Sequence, residues 1–230
     1  MTRAGFLAAL VGLLTGAAYG APPADVDITY ELSRNGLTLA TIEERLHHGA
    51  GKYELVETWH GKGLFALRGN IQRSSRGRVT EAGLQPVEFT DERTGRETAR
   101  AHFDWTARTL TMQFREAPET RAMPPNAQDR LSFMLAFAFR PAGEHCTRFS
   151  VADGGGVSSY VFDWVGRERI KTPAGEFDAV KIVRRKDGPE DRRSTEIWLA
   201  ADKGLLPVRV LVTEKDGSQI DQQAMRIAVP

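Results

Sequence analysis

Turn chemistry recurs along this chain at intervals too short to hold a crossover helix, and that spacing constrains the fold more than any other feature. Arg34-Asn35-Gly36 separates a segment in which Tyr30 and Leu32 flank Glu31 from one running from Leu37 to Ile42. Asn-Gly supplies the positive φ angles of a tight hairpin. Lys52 to His60 places Tyr53, Leu55 and Trp59 on one face and Glu54, Val56 and Thr58 on the other, the period-2 pattern of a half-buried strand. Residues 102–105 and 110–114 form another pair across Thr106 to Arg108. In the C-terminal half, Tyr160, Phe162 and Trp164 lead across Thr172-Pro173-Ala174-Gly175 to Val180 and Ile182. Ile197 to Leu199 passes through Asp202-Lys203-Gly204 to Val208, Val210 and Val212, and Lys215-Asp216-Gly217-Ser218 returns the chain through Ile220 to Val229. Strands joined this tightly run antiparallel, because a parallel pair needs a connection of about a dozen residues. The expected fold is mainly β: an antiparallel curved sheet closing into a barrel or half-barrel.

One segment departs from this pattern. Asn126 reads as an N-cap with Asp129 at the third helical position, and Arg130 to Phe139 then carries Leu131, Phe133, Met134, Leu135, Phe137, Ala138 and Phe139 before Pro141. The spacing predicts a helix over 127–139, about 20 Å long and too short to span a bilayer. It is apolar nearly all round, so it must be covered on more than one side, and a plug or lid inside the curved sheet is the expected role. A weaker helical pattern covers Leu64 to Ile71. There is also an internal echo, in which Gly83-Leu84-Gln85-Pro86-Val87-Glu88-Phe89 resembles Gly204-Leu205-Leu206-Pro207-Val208-Arg209-Val210. Both read as a turn that opens into a strand, with Pro where no ladder donor is needed.

The N-terminus has the layout of a secretory signal: Arg3, an apolar stretch from Ala4 to Leu14, and the small-residue pattern Ala18-Tyr19-Gly20. The expected cut follows Gly20, leaving residues 21–230 as a single domain, soluble and periplasmic, with no integral membrane span. Of 31 basic and 30 acidic residues, the leader carries only Arg3, so the mature chain is neutral. Such a balance offers no electrostatic footprint for nucleic acid. One cysteine, Cys146, excludes an intrachain disulfide, and no His/Cys cluster accompanies it to make a zinc site.

Catalytic signatures are mostly missing. Gly156-Val157-Ser158-Ser159-Tyr160 lacks the last glycine of a nucleophile elbow. Gly61-Lys62-Gly63-Leu64-Phe65-Ala66 matches a loose dinucleotide pattern, but the strand before it alternates as an antiparallel strand does, and that motif works from a buried parallel strand. No cofactor and no metal is expected. His47 and His48 are adjacent on a strand and so face opposite ways. Glu43-Glu44 and Asp91-Glu92 read as solvated faces, and the charged run Asp187 to Arg193 as a balanced loop.

Arg73-Ser74-Ser75-Arg76-Gly77, Gly83-Leu84-Gln85-Pro86, Phe103-Asp104-Trp105, Gln128-Asp129-Arg130-Leu131-Ser132-Phe133, Thr172-Pro173-Ala174-Gly175-Glu176-Phe177, and Trp198-Leu199 with Leu206-Pro207-Val208 form a distributed set. It resembles a family of exported bacterial proteins catalogued as domain of unknown function 3108, over about Val26 to Arg226. The resemblance implies a β-barrel-like fold in the cell envelope and no established activity. The fold is also similar to the half-barrels that carry lipoproteins across the periplasm.

Two functional readings lead. In the first, a non-enzymatic envelope protein holds a lipid or other apolar ligand between sheet and helix, with Phe133, Met134, Phe137, Trp105 and Trp164 as the candidate contacts. In the second, a structural or interaction module has a filled core and docks an envelope protein through a strand edge or the 187–193 loop. Asp104, Asp129 and Arg130 are assigned to structure or to the rim, capping the helix and holding it in register. Were the chain an enzyme, His60, His102 and Asp104 would be its first candidates.

Overall fold

The computed structural model describes residues 22–140 and 146–229. The leader assigned to residues 1–20 lies outside them, as do Pro141 and His145. In chain order the strands of the first half are β1 (Asp25–Arg34), β2 (Leu37–Gly49), β3 (Lys52–Gly61), β4 (Ile71–Thr80), β5 (Gly83–Arg93), β6 (Ala99–Asp104), β7 (Thr109–Gln113) and β8 (Glu119–Ala122). A short strand β9 (Ala127–Asp129) and the helix α1 (Ser132–Ala136) follow. The second half adds β10 (Cys146–Ala152), β11 (Val157–Thr172), β12 (Gly175–Arg184), β13 (Ser194–Ala200), β14 (Leu206–Thr213) and β15 (Gln219–Ala228).

All fifteen strands join one sheet, which runs from β8 down in sequence order to β1, crosses to β15 and runs down again to β9. Each pairing is antiparallel except β9 with β10, as the short turns require. The first hairpin turns on Asn35 (φ 48°) and Gly36 (φ 81°), the left-handed pair that matches strand twist. The alternation sets which face is buried: Val26, Ile28, Tyr30 and Leu32 of β1 turn inward with Ile42 and Leu46 of β2 and Tyr53 and Leu55 of β3. Each large apolar side chain so buried contributes about 1.5–3 kcal/mol.

The sheet curls without closing its ladder. Its β9 end comes up against β5, where Gln128 Nε2 donates to the Leu84 carbonyl at 2.7 Å. The result is a half-barrel whose seam is held by side chains. The helix bridges its two halves, packing on both β5 and β14. These are the strands that carry the internal echo, and the likeness is structural as well. Pro86 and Pro207 each sit beside a bulge in their own strand, where Val87 and Val208 are the extra residues, a position at which strands tolerate proline. The proline carbonyls accept from Trp105 Nε1 at 2.6 Å and from Tyr30 Oη at 2.8 Å.

The helical segment is shorter than its sequence pattern. Residues 127–129 pair with Ser150–Ala152 as a strand, and Asn126 has φ 50° and sits outside the helix. Asp129 supplies the cap instead: its Oδ1 accepts from the N–H groups of Leu131 (2.8 Å) and Ser132 (2.7 Å). A 3₁₀ turn over Phe137–Phe139 continues the helix. Ser132, Leu135, Ala136 and Phe137 are buried, so the segment packs inside the curved sheet as expected. The weaker pattern over 64–71 forms a 3₁₀ helix, Gly63–Arg68, that leaves Leu64 and Leu67 exposed. Among the described residues no helix is long and apolar enough to cross a membrane.

Candidate functional site

A cleft of ≈ 980 Å³ opens beside the helix, between the concave faces of the two halves. Leu131, Phe133 and Met134 form its helical wall, Tyr160, Phe162, Pro207 and Val210 the wall from the second half, and Tyr30, Leu32 and Trp59 the wall from the first. Phe133 stacks near Tyr160 and Phe162, with ring centroids 6.2 and 6.4 Å away. At the rim the loop after β12 folds back over Arg184, whose guanidinium donates to Asp187 (3.1 Å), Asp191 (2.5 Å) and the Arg193 carbonyl (3.1 Å). The hydrogen bond and charge of Arg184 hold Asp191 below the usual carboxylate range. The charged run 187–193 is thus part of the cleft mouth.

The floor is charged. Glu44, Glu57, Arg73 and Asp91 occupy directly paired positions on four adjacent strands, β2 to β5, so one ionisable row crosses the inner face. Arg73 Nη1 donates to Glu57 at 2.7 Å and its Nε to Asp91 at 3.1 Å, Trp59 Nε1 donates to Glu57 at 2.6 Å, and Arg93 holds Asp91 from the side at 2.6 and 2.9 Å. Burial works against ionised Asp91, yet Arg93 and Arg73 hold it below its ordinary value. Glu44 is different: its Oε1 is buried with no hydrogen-bond partner among the described residues. Burial, reinforced by the Glu57 charge, pushes its carboxyl up to about 8. Like charges directly opposite on neighbouring strands destabilise a sheet, and a proton on Glu44 removes that conflict.

A second buried polar group anchors the helix to the first half. Ser75 Oγ donates to Asp129 Oδ2 at 2.5 Å and shares a hydrogen bond with Tyr53 Oη at 2.9 Å, while Ser132 Oγ donates to Gln128 Oε1 at 2.9 Å. Burial raises Asp129 to about 6 against the opposing pull of these donors.

Of the residues singled out from sequence, Phe133 and Met134 line the cleft and Phe137 lies behind its wall, edge-on to Phe149 (5.1 Å) and Phe162 (5.4 Å). Trp105 packs at Pro86, and Trp164 donates to Thr147 Oγ1 at 3.3 Å; neither lines the cleft. Asp129 caps α1, Asp104 caps the β6–β7 turn through the N–H groups of Thr106 and Ala107, and Arg130 lies between the cleft and an adjoining polar pocket of ≈ 510 Å³. His60, on β3 and 3.9 Å from Glu43, and His102, on β6, are exposed, and two strands separate them. His47 and His48 diverge as expected, toward Asp25 and toward Pro22 and Phe139. No group of three or more metal-binding side chains occurs among the described residues.

The structure also corrects the reading of two acids: Glu44 and Asp91 are 6% and 5% exposed, not solvated. The signal was in the period, since Glu44 shares the inward face of Ile42 and Leu46, and Glu57 that of Leu55 and Trp59.

No curated protein matches the chain. Among solved structures it is similar to a candidate lipoprotein of Parabacteroides distasonis, at 10% identity and a TM-score of 0.37 over 91% of this chain and 98% of that one. It is also similar to a candidate exported protein with a YmcC-like fold from Bacteroides fragilis, at 13% identity and a TM-score of 0.39 over 92% of this chain and 100% of that one. The family model described as Protein of unknown function (DUF3108) matches residues 27–223, from the first strand of the sheet to the last, and the chain belongs to that family.

Proposed function

We propose that this is a non-enzymatic exported envelope protein, soluble in the periplasm, that holds an apolar or lipid ligand between its sheet and its helix. The observation that carries the reading is the ≈ 980 Å³ cleft, walled by Phe133, Met134, Tyr160 and Phe162. That volume falls at the upper end of small-molecule sites, about 300–1,000 Å³. The cleft stands beside the helix, so a ligand need not displace it. A sixteen-carbon chain gains about 0.8 kcal/mol per buried CH₂, roughly 12 kcal/mol before ordering costs. The leader-like N-terminus supports export.

A second reading, the interaction module, draws on the free edge β8, whose four residues are all exposed and could accept an added strand. One experiment separates them: native mass spectrometry and lipid extraction of the full chain purified from its own envelope. Stoichiometric lipid, lost in Met134→Trp, is the expected result. A ligand-free protein overturns the ligand reading and favours the module.

A further inference from the structure

The ion pairs of the cleft floor leave one member over. Glu57 and Asp91 are two acids, and Arg73 and Arg93 are the two bases that pair with them. Glu44 is a third acid, outside those pairs, more than nine-tenths buried and lining the cleft, and among the described residues its Oε1 accepts no hydrogen bond. Unsatisfied buried acceptors are uncommon, and each costs about 1–3 kcal/mol. We propose that Glu44 is the polar anchor of the cleft and takes the protonated amine of an amphiphile whose alkyl part lies along Phe133 and Met134. The proposal rests on the ligand reading above and names its chemical class.

The surroundings select a cation. An anionic head would meet Glu57 one strand away. A hydroxyl would satisfy the oxygen but bring no charge to pair with an ionised Glu44. An ammonium supplies both, with three donors, beside the aromatic rings of Tyr30 and Trp59, which favour cations at their faces. Burial and Glu57 of β3 act on Glu44, and the hydroxyl of Tyr30 on β1 is raised by burial and by the Glu44 and Glu57 charges. Arg73 lies one strand further; Arg130, Arg184, Arg193 and Lys215 face the same cleft, and so do Asp153, Asp187, Glu190 and Asp191. Because unliganded Glu44 holds a proton near neutral pH, binding R–NH₃⁺ releases that proton to solvent and leaves a carboxylate–ammonium pair.

Calorimetric titration with decylamine, decanol and decanoate below their micellar concentrations, in two buffers of different ionisation enthalpy, tests this. At about pH 7 decylamine should bind most tightly and release close to one proton, whereas decanol should release none. Glu44→Gln should weaken decylamine roughly tenfold or more, as expected for a charged hydrogen bond, abolish the proton release and leave decanol within about twofold. Decylamine binding without proton release, or no more tightly than decanol, overturns the assignment even if the variant fails to fold, because it is read on the wild type. If none of the three binds, the ligand reading itself falls.

Discussion

Replacing Glu44 by Gln should make the protein's stability less dependent on pH, in a direction opposite to the usual behaviour of carboxylates. The folded carboxyl titrates near 8, against 4.5 for a free glutamate. Between those values the native state keeps a proton that the unfolded chain has released, so stability falls as pH rises. Its contribution is complete below about 4.5 and lost on passing through about 8. Each pH unit inside that window is worth at most about 1.4 kcal/mol, on the order of 5 kcal/mol in all. Gln has the same shape and does not titrate; its buried amide adds an offset that does not vary with pH. Urea unfolding of both proteins at several values between about pH 5 and pH 8 gives the difference directly. The variant should gain on the wild type by several kcal/mol across the series. A difference constant to about 0.5 kcal/mol would show that Glu44 is ionised in the folded protein, and the argument from its burial would be wrong.

Asp129→Ala removes the helix cap and the acceptor for Ser75; a lost cap costs about 1 kcal/mol and each stranded donor about 1–3 kcal/mol, so urea unfolding should show a loss of about 2–4 kcal/mol, with faster amide exchange over 131–136. Gly77→Ala puts a methyl 2.2 Å from the Gln85 carbonyl oxygen and 2.7 Å from Pro86 Cα. Both are backbone atoms, so β4 and β5 must part, and thermal unfolding should report a loss of about 1–3 kcal/mol; an unchanged melting temperature would mean that the bulge beside Pro86 is pliable.

The sheet was legible because period 2 and turn chemistry are local. Asn35-Gly36, Pro173 with Gly175 and Asp216-Gly217 each mark a hairpin that forms where the sequence puts it. The helix was legible in its apolar residues and misread at its start. Asn126 and Asp129 are both good caps, and what decides between them is the pairing of 127–129 with Ser150–Ala152, a partner more than twenty residues away. The cleft was half legible: Phe133 and Met134 followed from the helix, whereas Trp105 and Trp164 point elsewhere because their indole N–H groups found partners on Pro86 and Thr147. The charged floor is a property of register. Glu44, Glu57, Arg73 and Asp91 are each ordinary in sequence, and only the pairing of four strands sets them in one row.

The pairing of β1 with β15 places the chain's earliest and latest strands side by side in the interior of the sheet, with seven neighbours beyond one and six beyond the other. Each flank can form from local hairpins, but the two backbone ladders join only when the final ten-residue strand pairs with the first. Contacts this distant in sequence are the slow ones to form. Removal of residues 219–228 would therefore break the ladder that joins the flanks and leave them held through the helix and the side-chain seam of β5 and β9.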